Sequence, residues 1–171
     1  MAKSSSMNSH EAGGAGGFHG AEHAHARCIG EALDRAEALC RQRGARLTRM
    51  RRRVLELIWD SHKAVKAYDL LDRLSESEKS VRPPTVYRAL EFLIAHGLVH
   101  RVDSLNAFVG CSGSDERHNA QFLICQECGE VSEMDGLAIG RAVARQAAAA
   151  GFTVRRQTVE LHGECPSCAA S

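Results

Sequence analysis

An α+β fold in two parts is predicted by three observations. Apolar residues recur at helical spacing over residues 29–94, the pattern then switches to strand-like runs over 98–110, and a second strand–helix–strand stretch follows between two Cys-x-x-Cys pairs. Three short helices followed by a hairpin at the end of the last one are the layout of a winged helix-turn-helix. The remainder forms a small α/β unit, too small to be stable as a monomer on its own.

Each element has its own local reason. Met1 to Ala26, which includes GGAGGFHGAEHAH, has almost nothing to bury and reads as a disordered Gly/His-rich tail. Its His10, His19, His23 and His25 are either part of a solvated linker or a weak metal-collecting arm. From Ile29 to Arg43, Leu33, Ala36, Leu39 and Cys40 share one helical stripe, and Gly44 stops it. Thr48 is the expected N-cap of the next helix, with Met50, Val54, Leu57 and Ile58 inward. A third helix starts near Ala67 and buries Leu70, Leu71 and Leu74. After a charged link and Pro83-Pro84, Thr85 is the expected cap of a fourth helix with Val86, Leu90, Leu93 and Ile94 inward and Gly97 at its end.

LVHRV and NAFVG then read as a hairpin around Asp103, Ser104 and Leu105. QFLIC and EVSEM read as strands, Leu137 to Ala150 as an Ala-rich helix, and FTVRRQTVELH as one long strand whose apolar phase changes between Val154 and Val159, predicting a bulge. The expected division is a tail over 1–26, a winged-helix DNA-binding domain over 27–103, and a dimerisation and metal-binding domain over 104–171.

Composition narrows the class. With 44% hydrophobic and 25% charged residues in 171, the chain is globular, and a net charge of +1 leaves nucleic-acid binding to be decided by charge distribution. No apolar run approaches the roughly 20 residues that cross a bilayer, and the N-terminus lacks a signal peptide's apolar core. A cytoplasmic location and no membrane partner are expected. In that reducing compartment, seven cysteines point to metal ligands, reactive thiols or small core residues before disulfides.

Four of the seven form Cys125-Gln-Glu-Cys128 and Cys165-Pro-Ser-Cys168. Two residues between thiolates let both sulfurs turn onto one ion about 2.3 Å away, and two such pairs complete a tetrahedral zinc shell. Redox Cys-x-x-Cys motifs come singly and open a helix after a strand, so paired motifs favour structural zinc. For DNA, PPTVYRALEFLIAHG turns Tyr87, Arg88 and Glu91 outward near its helix start, where recognition helices read bases. Arg88 can pair with guanine O6/N7 and the Tyr87 ring can pack on a thymine methyl. Arg46, Arg49, Arg51, Arg52 and Arg53 form a basic cluster in which Arg46 or Arg49 is expected on phosphate. Cys40 is expected in the core, and His62, His96 and His162 carry no assigned role.

At these motifs the chain resembles the ferric uptake regulator family, in its zinc uptake branch, over about Arg27 to Cys168. LTRMRRRVLELI resembles the family's Leu-Thr-x-x-Arg-x-x-Val-Leu helix, AYDLLDRL the helix after it, RPPTVYRALEFLIAHGLVHRV the recognition helix and wing, and ICQECGEV with CPSC the structural zinc site. The resemblance implies a homodimeric repressor of zinc uptake genes, no enzyme, that binds an AT-rich palindromic operator when zinc-loaded. It implies base contacts at Tyr87 and Arg88. It also implies a sensory zinc set of His100, Cys111, His118 and Glu133, residues that sequence spacing alone does not bring together. The alternative is an iron-, manganese- or peroxide-responsive member. Those branches carry a His-His-Asp-His run before the first cysteine pair, and here the stretch reads His118-Asn119-Ala120-Gln121, which favours zinc.

Overall fold

The computed structural model describes residues 18, 25–61, 63–77, 81–112, 120–134 and 136–170. His10, His19, His23, His62 and His118 lie outside them. In chain order the elements are α1 (His25–Gln42), α2 (Arg49–Trp59), α3 (Ala67–Ser77), α4 (Pro83–Ala95), β1 (Val99–Val102), β2 (Ala107–Gly110), β3 (Gln121–Cys125), β4 (Val131–Met134), α5 (Leu137–Ala149), β5 (Val159–Gly163) and α6 (Pro166–Ala169). The fold is α+β, a winged helix-turn-helix followed by a small α/β unit.

The helical half encloses one core. Leu33, Ala36 and Cys40 of α1 meet Val54, Leu55, Leu57 and Ile58 of α2, Leu70 and Leu74 of α3, and Val86, Ala89, Leu90 and Leu93 of α4. The Thr48 hydroxyl caps α2 by accepting from the Arg51 N–H at 3.4 Å. α1 begins at His25, four residues before the apolar stripe that predicts it, so the expected tail yields its last two residues to the helix. α4 begins at Pro83 with Arg82 as its cap rather than Thr85. Proline at the first helical position lacks an N–H that would be unpaired there anyway, and its ring presets φ. Ile94 is also not buried; it is 40% exposed, and Ala89 is buried instead.

β1 and β2 pair antiparallel, His100 opposite Val109 and Val102 opposite Ala107, around a turn in which Asn106 takes a positive φ of 46°. The expected domain boundary at residues 103/104 falls inside this turn. β3 is the centre of the second sheet, antiparallel to β4 and parallel to β5. The long strand expected from Phe152 is shorter: Phe152 to Thr158 is irregular and only Val159–Gly163 joins the ladder. Among the described residues the ladder of β3 with β5 runs only from Gln121 opposite Val159 to Cys125 opposite Gly163. A second apolar cluster joins hairpin to sheet, with Val102 and Val109 on Phe122 and Ile124. Among the described residues no helix is long and apolar enough to cross a membrane.

Candidate metal centres and nucleic-acid interface

The four cysteines of the paired motifs converge. Cys125 ends β3, the chain turns back at Gly129 with a φ of 74° that favours glycine, and Cys128 lies within that turn. Cys165 precedes α6 and Cys168 lies inside it, so the short helix presents both thiols on one side. Their sulfurs all lie within 4.8 Å of one another. Sulfurs at tetrahedral corners about 2.3 Å from one ion stand about 3.8 Å apart, and Cys128 Sγ and Cys165 Sγ are separated by 3.8 Å. The donor set and spacing fit zinc. Backbone N–H groups of Cys128 and Cys165 donate to the Cys125 sulfur and bring its thiol down to about 6, the Cys165 contact measuring 3.3 Å. Such N–H···S bonds favour the thiolate that a metal requires.

A second cluster lies where the hairpin meets the sheet. His100 of β1, Cys111 just past β2 and Glu133 of β4 bring a ring nitrogen, a thiol and a carboxylate oxygen within 4.8 Å of one another. Cys111 is fully buried. His100 Nε2 is 3.2 Å from one Glu133 oxygen. The other accepts from the Ser112 N–H at 3.0 Å and the Ser112 hydroxyl at 2.9 Å. Burial pushes the Glu133 carboxyl up, but the His100 ring and the Ser112 donors more than reverse this and bring it down to about 2. Nitrogen, sulfur and oxygen donors together suit Zn²⁺ better than the harder Mn²⁺ or Mg²⁺. Three of the four residues expected in the sensory set are thus brought together, and His118 lies outside the described residues.

Two residues that the sequence reading did not single out support this cluster. Arg35 of α1 donates to the carbonyls of Cys111 and Ser112, the latter at 3.2 Å, and its guanidinium stands 5.9 Å from the Trp59 ring centroid. The Trp59 ring fills the space where Gly110 has no side chain. Glycine within a strand marks such close approaches, and that was the available signal.

On α4, Tyr87 is 44% exposed, and Arg88 and Glu91 are exposed beside it. Tyr68 of α3, at 67%, is the aromatic that the sequence reading missed. It lines a cavity of about 240 Å³ with Lys66, Tyr87, Ile94, Arg101 and Phe108, between recognition helix and wing. The arginine cluster divides. Arg51 lies over the Phe92 ring at 3.5 Å and donates to the Arg46 carbonyl at 2.6 Å. Arg52 pairs with Glu37, and Arg53 with Glu56 at 2.8 Å. Arg46 and Arg49 are exposed.

Residues 42–162 match the family model described as the Ferric uptake regulator family. The chain belongs to the ferric uptake regulator family. As a member of it, the chain is 43% identical over 139 residues to the zinc uptake regulation protein of Escherichia coli (strain K12), covering 81% of each. It is similar to a solved zinc uptake regulator complexed with zinc and DNA, with a TM-score of 0.80 and 41% identity over 83% of this chain and 95% of that one. It is also similar to the holo form of XcZur, with a TM-score of 0.77 and 44% identity over 82% of this chain and 99% of that one.

Proposed function

We propose that this ferric uptake regulator family member is a zinc-responsive transcriptional repressor that binds a palindromic operator as a homodimer and controls zinc uptake. The observation that carries the reading is the mixed His100–Cys111–Glu133 cluster at the junction of wing and sheet. An ion held by these three side chains would supply a fixed cationic junction, and His118 is the expected fourth donor. Because His100 and Cys111 lie at the open end of the hairpin while Glu133 belongs to the sheet, holding one ion with all three fixes the reading head against the other unit. Only tighter zinc binding in the DNA-competent arrangement shifts the population toward it. The Cys125, Cys128, Cys165 and Cys168 set, which joins β3 to the segment after β5, serves as a permanent structural site.

The division into a reading unit over 27–103 and a dimerisation unit over 104–171 fits the remaining surface. Leu137, Val143, Phe152 and Leu161 are exposed apolar side chains of the second unit, from 40% to 67% accessible, and a second copy of the chain would cover them. Two recognition helices would then enter major grooves roughly 10 bp apart, with Tyr87 and Arg88 at bases and Arg46 on phosphate. This role is one of binding rather than catalysis and belongs in the cytoplasm, where the DNA is. The zinc regulator names of the relatives support the metal chosen.

The test titrates free zinc against an AT-rich palindromic duplex, with iron and manganese in parallel. Operator binding is expected with zinc alone, at two zinc ions per protomer. Cys111→Ala is expected to keep one zinc and lose the response. Zinc-indifferent binding would overturn the sensory assignment, and a response to iron at least as strong would favour the sister reading.

A further inference from the structure

One row of the second sheet grips the wing at three points. The ladder pairs Phe122 with Glu133 on β4 and with Glu160 on β5, so the three side chains emerge on one face. Glu133 holds Ser112 and His100 as described. Phe122 stands edge-on to His100, with ring centroids 5.6 Å apart. Glu160 reaches the opposite end of the hairpin, where its two oxygens accept from the backbone N–H groups of Asp103 at 2.7 Å and Ser104 at 3.1 Å. Arg156, shortly before β5, adds an ion pair to Asp103 at 3.7 Å, and Arg101 of β1 closes on the same carboxylate at 3.2 Å.

The two carboxylates differ in what they need. Glu133 belongs to the candidate metal cluster. Glu160 accepts from the main-chain N–H groups of Asp103 and Ser104, whose positions the turn itself fixes, and the Ser104 side chain adds to them. Burial pushes its carboxyl up, and the Ser104 and Asp103 donors outweigh that and hold it below the usual carboxylate range. It is therefore ionised at neutral pH, and both bonds are charge-assisted.

We infer that Glu160 is a positioning residue for DNA reading, a metal-independent anchor that fixes the turn end of the wing on the second sheet while the hinge cluster closes the other end. Its functional consequence rests on the zinc-responsive reading; its geometry does not. With one end held, the His100 and Cys111 donors already lie near Glu133 before an ion is bound, and less order remains to be imposed on binding. Losing the anchor lowers the fraction of molecules in the competent arrangement, and the apparent affinity falls by that fraction.

The experiment uses the full-length dimer with the four-cysteine site loaded. Glu160→Ala is expected to weaken hinge zinc, measured by chelator competition without DNA, about tenfold, and operator binding at limiting zinc by a similar factor. Excess zinc should recover most of the operator affinity. Glu160→Gln keeps one acceptor oxygen and should fall between parent and alanine, which a mere folding defect would not produce. Amide exchange at Asp103 and Ser104 should quicken about tenfold in Glu160→Ala, with the zinc of the four-cysteine site retained. Unchanged exchange at these two amides, or parental hinge affinity in Glu160→Ala, would overturn the inference. If the parent itself shows no zinc response, the repressor reading fails while the exchange measurement still decides the anchor.

Discussion

Replacing Gly110 with alanine tests how the wing is seated on the helical core. A Cβ at this position would stand 2.7 Å from Cζ2 of Trp59, with Cε2 and Nε1 closer still, whereas carbon atoms in contact ordinarily sit about 3.5–4.0 Å apart. The ring cannot simply move aside, because the Arg35 guanidinium lies over it and is itself bonded to the Cys111 and Ser112 carbonyls. Overpacking of this kind costs about 1–3 kcal/mol. Gly110 does not have the positive φ that would strain an alanine, so reduced freedom of the unfolded chain returns about 0.4–1 kcal/mol. The expected net loss is about 1–2 kcal/mol, read as a lower urea midpoint by circular dichroism. The same substitution in a Trp59→Ala background should be neutral or stabilising, giving a coupling of about 1 kcal/mol or more. A loss below about 0.5 kcal/mol, typical of an uninvolved surface site, or an equal loss in both backgrounds, would refute the reasoning. Cys111 follows directly, so a displaced strand end should also weaken hinge zinc in chelator competition.

Two further outcomes are expected. Arg88→Ala should cost about 1–3 kcal/mol of operator binding and relax discrimination at one base pair, while Arg46→Ala should weaken all duplexes alike and reduce the slope of log affinity against log salt by about one; equal behaviour of the two variants in a salt-dependent binding assay would remove the distinction between base and phosphate contacts. Arg35→Ala should weaken hinge zinc several-fold while leaving zinc in the four-cysteine site, since it releases two carbonyls beside Cys111 and Glu133; metal content and chelator competition check it, and unchanged hinge affinity would limit Arg35 to packing.

The helical half was legible because its code is local. Leu33, Ala36 and Cys40, or Val54, Leu57 and Ile58, declare a buried face by spacing, and two Cys-x-x-Cys pairs declare a shared ion by chemistry. Errors arose where a neighbour decides. Ile94 fits the stripe of α4 but faces outward, because the helix turns Ala89 to the core instead. Thr85 has capping chemistry, yet Pro83 opens the helix. Thr158 and the residues before it have strand-like composition but, among the described residues, no partner in the ladder. The hinge cluster is the extreme case: His100, Cys111 and Glu133 meet only through the pairing of β1 with β2 and the stacking of that hairpin on the sheet. Spacing carries no trace of it, and only the resemblance pointed there. Arg35 and Glu160 were invisible for the same reason, since each acts on backbone groups far along the chain.

The parallel pairing of β5 with β3 has a consequence of parity. Parallel strands are not joined by a tight turn that could set their alignment, and β5 is reached through α5 and a length of irregular chain. Its alignment is fixed from the far end, where Gly163 lies opposite Cys125, the Gln126 N–H bonds the Gly163 carbonyl at 2.8 Å, and Cys165 follows with its sulfur among the other three. Sliding by one position would draw Cys165 off that cluster. Because side chains alternate, the same slip would turn Glu160 away from the hairpin and bring Leu161 to face it. The four cysteines therefore set more than the stability of their own corner. They select the odd or even face of β5, and with it whether a carboxylate or a leucine meets the wing.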